Sequence, residues 1–231
     1  MTKNIKTLIR RAAGVFCLGG MMLSAGLFTS CTEKDNTVEE FADWQSKNET
    51  YWNKLYTATQ QKIKSGDTSW KIILNYSYQN QKQTSGSAPT YSPENYIIAH
   101  VEQAGTGTTS PLYSDSVSMH YMGRLIPSTT YTSGLIFDKS WSNDTFNATT
   151  SRPAHSYLGL TYNAEGKAVS LVDGFTTALM SMHRGDHWTV YIPHQLGYGT
   201  SASGTVPAYS TLIFDLRLVD FSHPGTKLKD S

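Results

Sequence analysis

The chain has 231 residues, 39% hydrophobic and 12% aromatic, enough for one sizeable core plus an appendage. Its net charge is +1; setting aside Lys3, Lys6, Arg10 and Arg11, which fall in an acid-free leader, leaves −3 and excludes a nucleic-acid binder built on a basic face. Only two cysteines are present and one, Cys17, lies in that leader, so a disulfide framework and a thiolate metal cluster are excluded too.

The leader opens with the basic run MTKNIKTLIRR, continues as the apolar AAGVFCLGGMMLSAGLF and ends in FTSC. It reads as an export signal rather than a membrane span. A boundary at cysteine resembles the lipobox of bacterial lipoproteins, although the usual leucine and small residue are absent. On this reading residues 1–30 are a lipoprotein signal peptide and Cys31 is the lipidated residue. The polar, acidic TEKD that follows resembles the sorting region of outer-membrane lipoproteins, and acyl chains supply the anchor.

From Thr37 to Gly66 the chain opens with a capping box, Thr37 to Glu40, and stops at glycine. Phe41, Trp44, Tyr51, Trp52, Leu55 and Ile63 recur near helical spacing. One long amphipathic helix is expected from Val38 to Lys64, with an acidic first turn and Lys62 and Lys64 in the last. Its aromatic stripe is expected to pack on its own domain, with a homodimer contact as the alternative.

SWKIILNYSY reads as a strand and QNQKQTSGSAPTYSPE as a polar loop. Four further strands are expected in YIIAHVEQAG, SVSMHYMGRL, HWTVYIP and STLIFDLRLVDF. DGFTTALMSM is the one short helix among them, with Val172, Phe175, Leu179 and Met182 on one face and Asp173 as its cap. Mostly antiparallel strands and one short helix make an α+β domain.

His183 and His187 stand four apart, as two zinc ligands on a helix would. Gly185 and Asp186 interrupt that helix and no glutamate follows His183, so turn and strand-face histidines are expected, and no metal. Arg184-Gly185-Asp186 has the form of an adhesion tripeptide, yet Gly-Asp after a helix is ordinary turn chemistry. NET, NDT and NAT have glycosylation spacing and count as polar loops. GTGTTSPL lacks the lysine and the helix of a phosphate loop, and no serine occupies a nucleophile elbow. Asp138, Asp144 and Asp173 could pair for glycoside hydrolysis, but their spacing gives no sign of it. An aromatic load remains near turns: Tyr121, Phe137, Phe175, Tyr191, Tyr198 and Phe214. Together these fit an apolar cleft with polar tips, while core packing accounts for any one alone.

Taken in order, VSMHYMGRL, SGLIFDKS, LVDGFTTALMSMHRGD, VYIPHQLGYG and VPAYSTLIFDLRLVDF resemble five motifs of the FKBP-type peptidyl-prolyl cis-trans isomerases. The resemblance covers about Tyr96 to Phe221, and five motifs in the family order are specific where each alone is weak. It implies an antiparallel sheet curled around one short helix, preceded here by the long N-terminal amphipathic helix, with the substrate cleft between sheet and short helix. The domain division that follows is 31–66 for tether and helix, 67–95 for an extra strand and linker loop, 96–222 for the isomerase-like domain and 223–231 for a tail.

Carried over motif by motif, the resemblance assigns Tyr121, Phe137, Asp138, Tyr198 and Phe214 to catalysis and Leu171, Val172, Phe175 and Val206 to substrate binding. Phe175 would be the floor; Phe137, Phe214 and Tyr121 the walls. The Val172 N–H and the Tyr198 hydroxyl would hold substrate carbonyls, and Asp138 would orient Tyr121 or a ligand hydroxyl. Ala154 and Ser156 stand where two aromatics are expected, after the inserted WSNDTFNATTS, so one wall is expected either to be missing or to be supplied by Trp141, Phe146 or Tyr157. The loops RLIPSTTYTS and GLTYNAEGKAVS are also long.

The implied activity is cofactor-free prolyl isomerisation assisting the folding of exported proteins. Implied partners are proline-containing unfolded or nascent exported chains, macrolide inhibitors, and a membrane reached through the lipid anchor; the implied location is the bacterial cell envelope, at the outer membrane. The alternative is a catalytically weak FKBP-like binding module or chaperone.

Overall fold

The computed structural model describes residues 39–79 and 89–228. The expected export signal, Cys31 and Thr37 lie outside the described residues, as do part of the polar loop and the last residues of the tail.

Helix α1, Trp44–Lys64, buries Trp44, Asn48, Trp52 and Thr59, a spacing that keeps one face turned to the same side. That stripe packs on its own domain. Trp44 Nε1 donates to Ser210 Oγ at 2.8 Å, Asn48 Oδ1 accepts from the Thr211 N–H at 2.7 Å, and Trp52 Nε1 donates to the Pro93 carbonyl at 3.3 Å. Ile63 falls off the stripe and is exposed.

The helix starts at Trp44, not Val38, because Asp43 adopts the left-handed conformation at φ 53° and breaks the register. Glu40 is therefore no capping-box residue. Its carboxylate reaches a distant loop instead, accepting from the Ser128 hydroxyl and, at 2.9 Å, from the Thr130 N–H. Those hydrogen bonds, Ser128 first, hold its pKa down to about 2. The first turn of α1 consequently has no acidic residue, while Lys62 and Lys64 do occupy the last and Lys62 Nζ lies 3.8 Å from the Trp70 ring centroid.

Strand β1, Trp70–Leu74, is shorter than expected: NYSY turns into a helical segment, α2, Tyr76–Gln79. Asn75, 2% exposed, causes the break by accepting from Thr177 Oγ1 at 3.0 Å while its carbonyl takes the Tyr78 N–H at 2.9 Å.

The main sheet continues with β2 (Tyr96–Gln103), β3 (Ser116–Leu125), β4 (Ile136–Lys139) and β5 (Ala154–Tyr157). A small separate ribbon, β6 (Thr161–Tyr162) and β7 (Ala168–Val169), precedes α3 (Asp173–Leu179), after which β8 (His187–Ile192) and β9 (Leu212–Ser222) return to the sheet. The antiparallel order is β1-β2-β8-β9-β3-β4, with β5 also pairing β3. β4 and β5 were not legible as strands; each has only four residues and neither shows a long alternating run.

α3 buries Phe175, Ala178 and Leu179 in one cluster with Ile97 of β2, Val190 of β8 and Leu216 of β9. It sits close because Gly174 has no side chain: a Cβ there would come within 2.3 Å of Ile192. Val172, in extended conformation, is the N-cap, and Asp173 is the first helical residue rather than the cap. The Val172 carbonyl accepts from the Phe175 and Thr176 N–H groups at 2.9 and 3.1 Å.

Trp44→Ala is expected to destabilise the chain by about 3–5 kcal/mol, since it removes a buried indole and leaves Ser210 without its donor. Urea unfolding checks this; a loss below about 1 kcal/mol would mean that α1 is not part of the cooperative core.

Candidate active site

Strand alternation along β3 turns Met119, Tyr121 and Gly123 to the concave side of the sheet, toward α3. A Cβ on Gly123 would lie 2.5 Å from the Phe137 ring and 2.7 Å from the Phe214 ring. Glycine at 123 is what lets those two side chains meet. Phe214 then lies edge-on to Phe137 at 5.6 Å between centroids, to Phe175 at 4.7 Å and to Tyr121 at 6.3 Å.

These four rings, from β3, β4, α3 and β9, bound a cleft of about 270 Å³. Phe175 and Phe214 are 4% and 5% exposed, so floor and one wall belong equally to the core. The cleft also brings together Asp138, Leu171, Val172 and Tyr198. Val206 does not line it. Paired backbone hydrogen bonds with Ser203, 2.9 Å each way, fold Val206 into a tight turn that buries its side chain in the core.

Met119, Ala154, His155, Ser156 and Ser170 line the cleft as well. Met119 was readable from the alternation, two residues before Tyr121; Ala154, His155 and Ser156 are brought there by β5 pairing with β3, Ala154 opposite Met119 and Ser156 opposite Val117, and Ser170 adjoins Leu171. Trp141, Phe146 and Tyr157 supply no replacement wall. Phe146 packs instead against the His120 ring at 4.8 Å, the Trp141 ring at 5.2 Å and the Arg217 guanidinium at 4.4 Å. His120 neighbours Tyr121 and so faces the other side of the sheet.

The polar tips are few. The Tyr121 hydroxyl donates to Asp138 Oδ2 at 2.8 Å. Burial, then this hydrogen bond and the Asp138 charge, push the Tyr121 phenol up to about 12, so it stays protonated at any physiological pH. Burial and the same carboxylate raise Tyr198 too. Of the three scattered carboxylates Asp138, Asp144 and Asp173, Asp138 alone lines the cleft, which therefore has no carboxylate pair for glycoside hydrolysis.

The other conspicuous motif serves the fold. Asp186 is 4% exposed, and its two oxygens accept from the Gly105 and His183 N–H groups at 2.6 and 2.8 Å. Arg184 pairs with Asp220. Arg184-Gly185-Asp186 is thus a tied turn with its carboxylate inside. Among the described residues no three His, Cys, Asp or Glu side chains group as metal ligands.

The sequence model of the FKBP-type peptidyl-prolyl cis-trans isomerase family matches residues 107–219. This stretch belongs to that family. The FKBP-type sheet extends upstream of the match, because β2 pairs with β8. The chain is 33% identical over 122 residues to a macrophage infectivity potentiator of Trypanosoma cruzi, covering 52% of this chain and 50% of that one. It is 33% identical over 120 residues to the peptidyl-prolyl cis-trans isomerase Mip of Coxiella burnetii, covering 52% and 42%. The chain therefore spans half or less of the length of these relatives. A solved peptidyl-prolyl cis-trans isomerase from Pseudomonas syringae pv. tomato superposes with a TM-score of 0.48 at 20% identity, covering 81% of this chain and 99% of that one.

Asp138→Asn removes the negative charge and the carboxylate acceptor beside Tyr121. The phenol should then ionise at a lower pH than in the parent while burial keeps it above the ordinary 10.0. An ultraviolet difference titration, with Tyr121→Phe as reference, reads the shift; an unmoved titration would contradict the assigned hydrogen bond.

Proposed function

We propose that the chain is a peptidyl-prolyl cis-trans isomerase acting on proline-containing segments of exported proteins, tethered in a bacterial envelope, at the outer membrane, by lipid on Cys31. The observation that carries the activity is the apolar cleft walled by Tyr121, Phe137, Phe175 and Phe214 with the Tyr121–Asp138 pair at its edge. The leader sequence and its terminal cysteine support the location. Among the described residues no helix is long and apolar enough to cross a membrane.

The chemistry needs no reactive group. Cis and trans X-Pro bonds differ by only about 0.5–1 kcal/mol but exchange over a barrier of about 18–20 kcal/mol, because rotation breaks amide resonance. Water stabilises the charge-separated planar amide better than the twisted one, and four aromatic walls exclude that water. The rings hold the pyrrolidine over Phe175. The Val172 N–H and the Tyr198 hydroxyl fix the flanking carbonyls, so that binding favours the twisted state over the planar one. Each tenfold gain in rate requires about 1.4 kcal/mol of that preference.

A second reading, a binding module with weak catalysis, draws on Ala154 and Ser156, whose small side chains line the cleft where the family motif has aromatics. A proline-peptide isomerisation assay separates the two, and suppression by a pocket-binding macrolide would place the activity in the cleft. Phe137→Ala and Phe214→Ala should each lower kcat/KM by about tenfold or more, and Tyr198→Phe by only a few-fold. Equal activity in all three variants would refute the assignment.

A further inference from the structure

The exposed apolar side chains are concentrated in one region. Of the ten large hydrophobic residues exposed among the described residues, six are Leu112, Tyr113, Tyr157, Leu160, Tyr162 and Val169. Four of these six lie on the excursion between Ser156 and Ser170, both of which line the cleft. The excursion is rooted by Leu158, 1% exposed, whose N–H donates to the Asp115 carbonyl at 3.0 Å. Tyr157 and Tyr113 adjoin there: a Cβ on Gly159 would lie 2.6 Å from the Tyr157 ring and 3.1 Å from the Tyr113 carbonyl.

Beyond that root the chain forms the β6–β7 ribbon, Thr161 opposite Val169 and Tyr162 opposite Ala168. Continued by one residue on each strand, this register brings Leu160 level with Ser170. Strand alternation then puts Leu160, Tyr162, Ala168 and Ser170 on one side of the ribbon, the side of the cleft-lining serine. Glu165 and Lys167 offset each other in the ribbon's turn, so no net charge selects a charged partner. Tyr162, at 68% exposed, and Leu160, at 48%, are large apolar groups on that side left to water, as at a binding surface.

We propose that this ribbon is a docking arm for the apolar and aromatic residues flanking the proline in an unfolded client chain. The inference rests on the isomerase reading, because continuity with the cleft is what selects an extended polypeptide as the occupant. At about 3.3 Å rise per strand residue, Leu160 to Tyr162 spans about 7 Å, room for two or three client residues beyond those in the cleft. A tetrapeptide substrate would not reach it.

The test compares the parent with L160S/Y162S, and with Y162S alone as the mildest change, using two probes. With a short proline tetrapeptide, kcat/KM should stay within about twofold of the parent. With reduced, carboxymethylated α-lactalbumin as a permanently unfolded chain, the Kd of the double variant should rise about tenfold or more, with Y162S intermediate. An unchanged Kd overturns the proposal. So does an unchanged Kd accompanied by lost self-association in sedimentation, or by lost binding to phosphatidylcholine vesicles, which would assign the strip to a second copy or to a bilayer. A parent inert on the tetrapeptide sinks the isomerase reading instead, and the Kd comparison still judges the ribbon.

Discussion

The contact between Phe175 of α3 and Phe214 of β9 is the point from which the rest of the structure follows. It joins the short helix to the sheet, and because both rings are nearly buried it is core packing and cleft surface at once. A helix held there fixes where Val172 ends its extended run. A strand held there fixes the ring against which Phe137 and Tyr121 stand. The site is rigid for the reason that the domain is stable.

Two glycines make that contact usable. Gly174 lets α3 lie directly on Ile192, and Gly123 leaves the space in which the Phe137 and Phe214 rings meet. A methyl group at either position would push a cleft element outward by more than the tolerance of a packed interior. The polar side is equally economical: one carboxylate, Asp138, accepts from the Tyr121 hydroxyl and adds its charge to the burial that raises Tyr198.

Most of the sheet was legible, because β2, β3, β8 and β9 are long, rich in β-branched and aromatic residues, and bounded by turn residues. The aromatic rings of the cleft were legible from motif order, since each stands at a fixed offset from a recognisable glycine or strand. What stayed hidden depended on tertiary contacts. The start of α1 was set by Asp43 and by the pull of Ser128 and Thr130 on Glu40, loop residues nearly ninety positions away in the chain. The end of β1 was set by Asn75 finding Thr177. Val206 matched its motif, yet the turn with Ser203 directs it inward. Trp141 and Phe146 looked like spare walls, but strand parity sends His120 to the opposite side of the sheet from Tyr121, and Phe146 packs there against His120 and Trp141.

Asn48 is 1% exposed and divides its amide between two loyalties: its nitrogen donates to the Trp44 carbonyl at 2.7 Å, and its oxygen receives the Thr211 N–H. Thr211 immediately precedes the strand that bears Phe214. A proteolytic nick or truncation that stripped α1 away would strand that amide hydrogen without an acceptor at the very root of a cleft wall. The N-terminal helix is thus chassis rather than stalk, and trimming the chain back to its family-matching segment would remove a structural member.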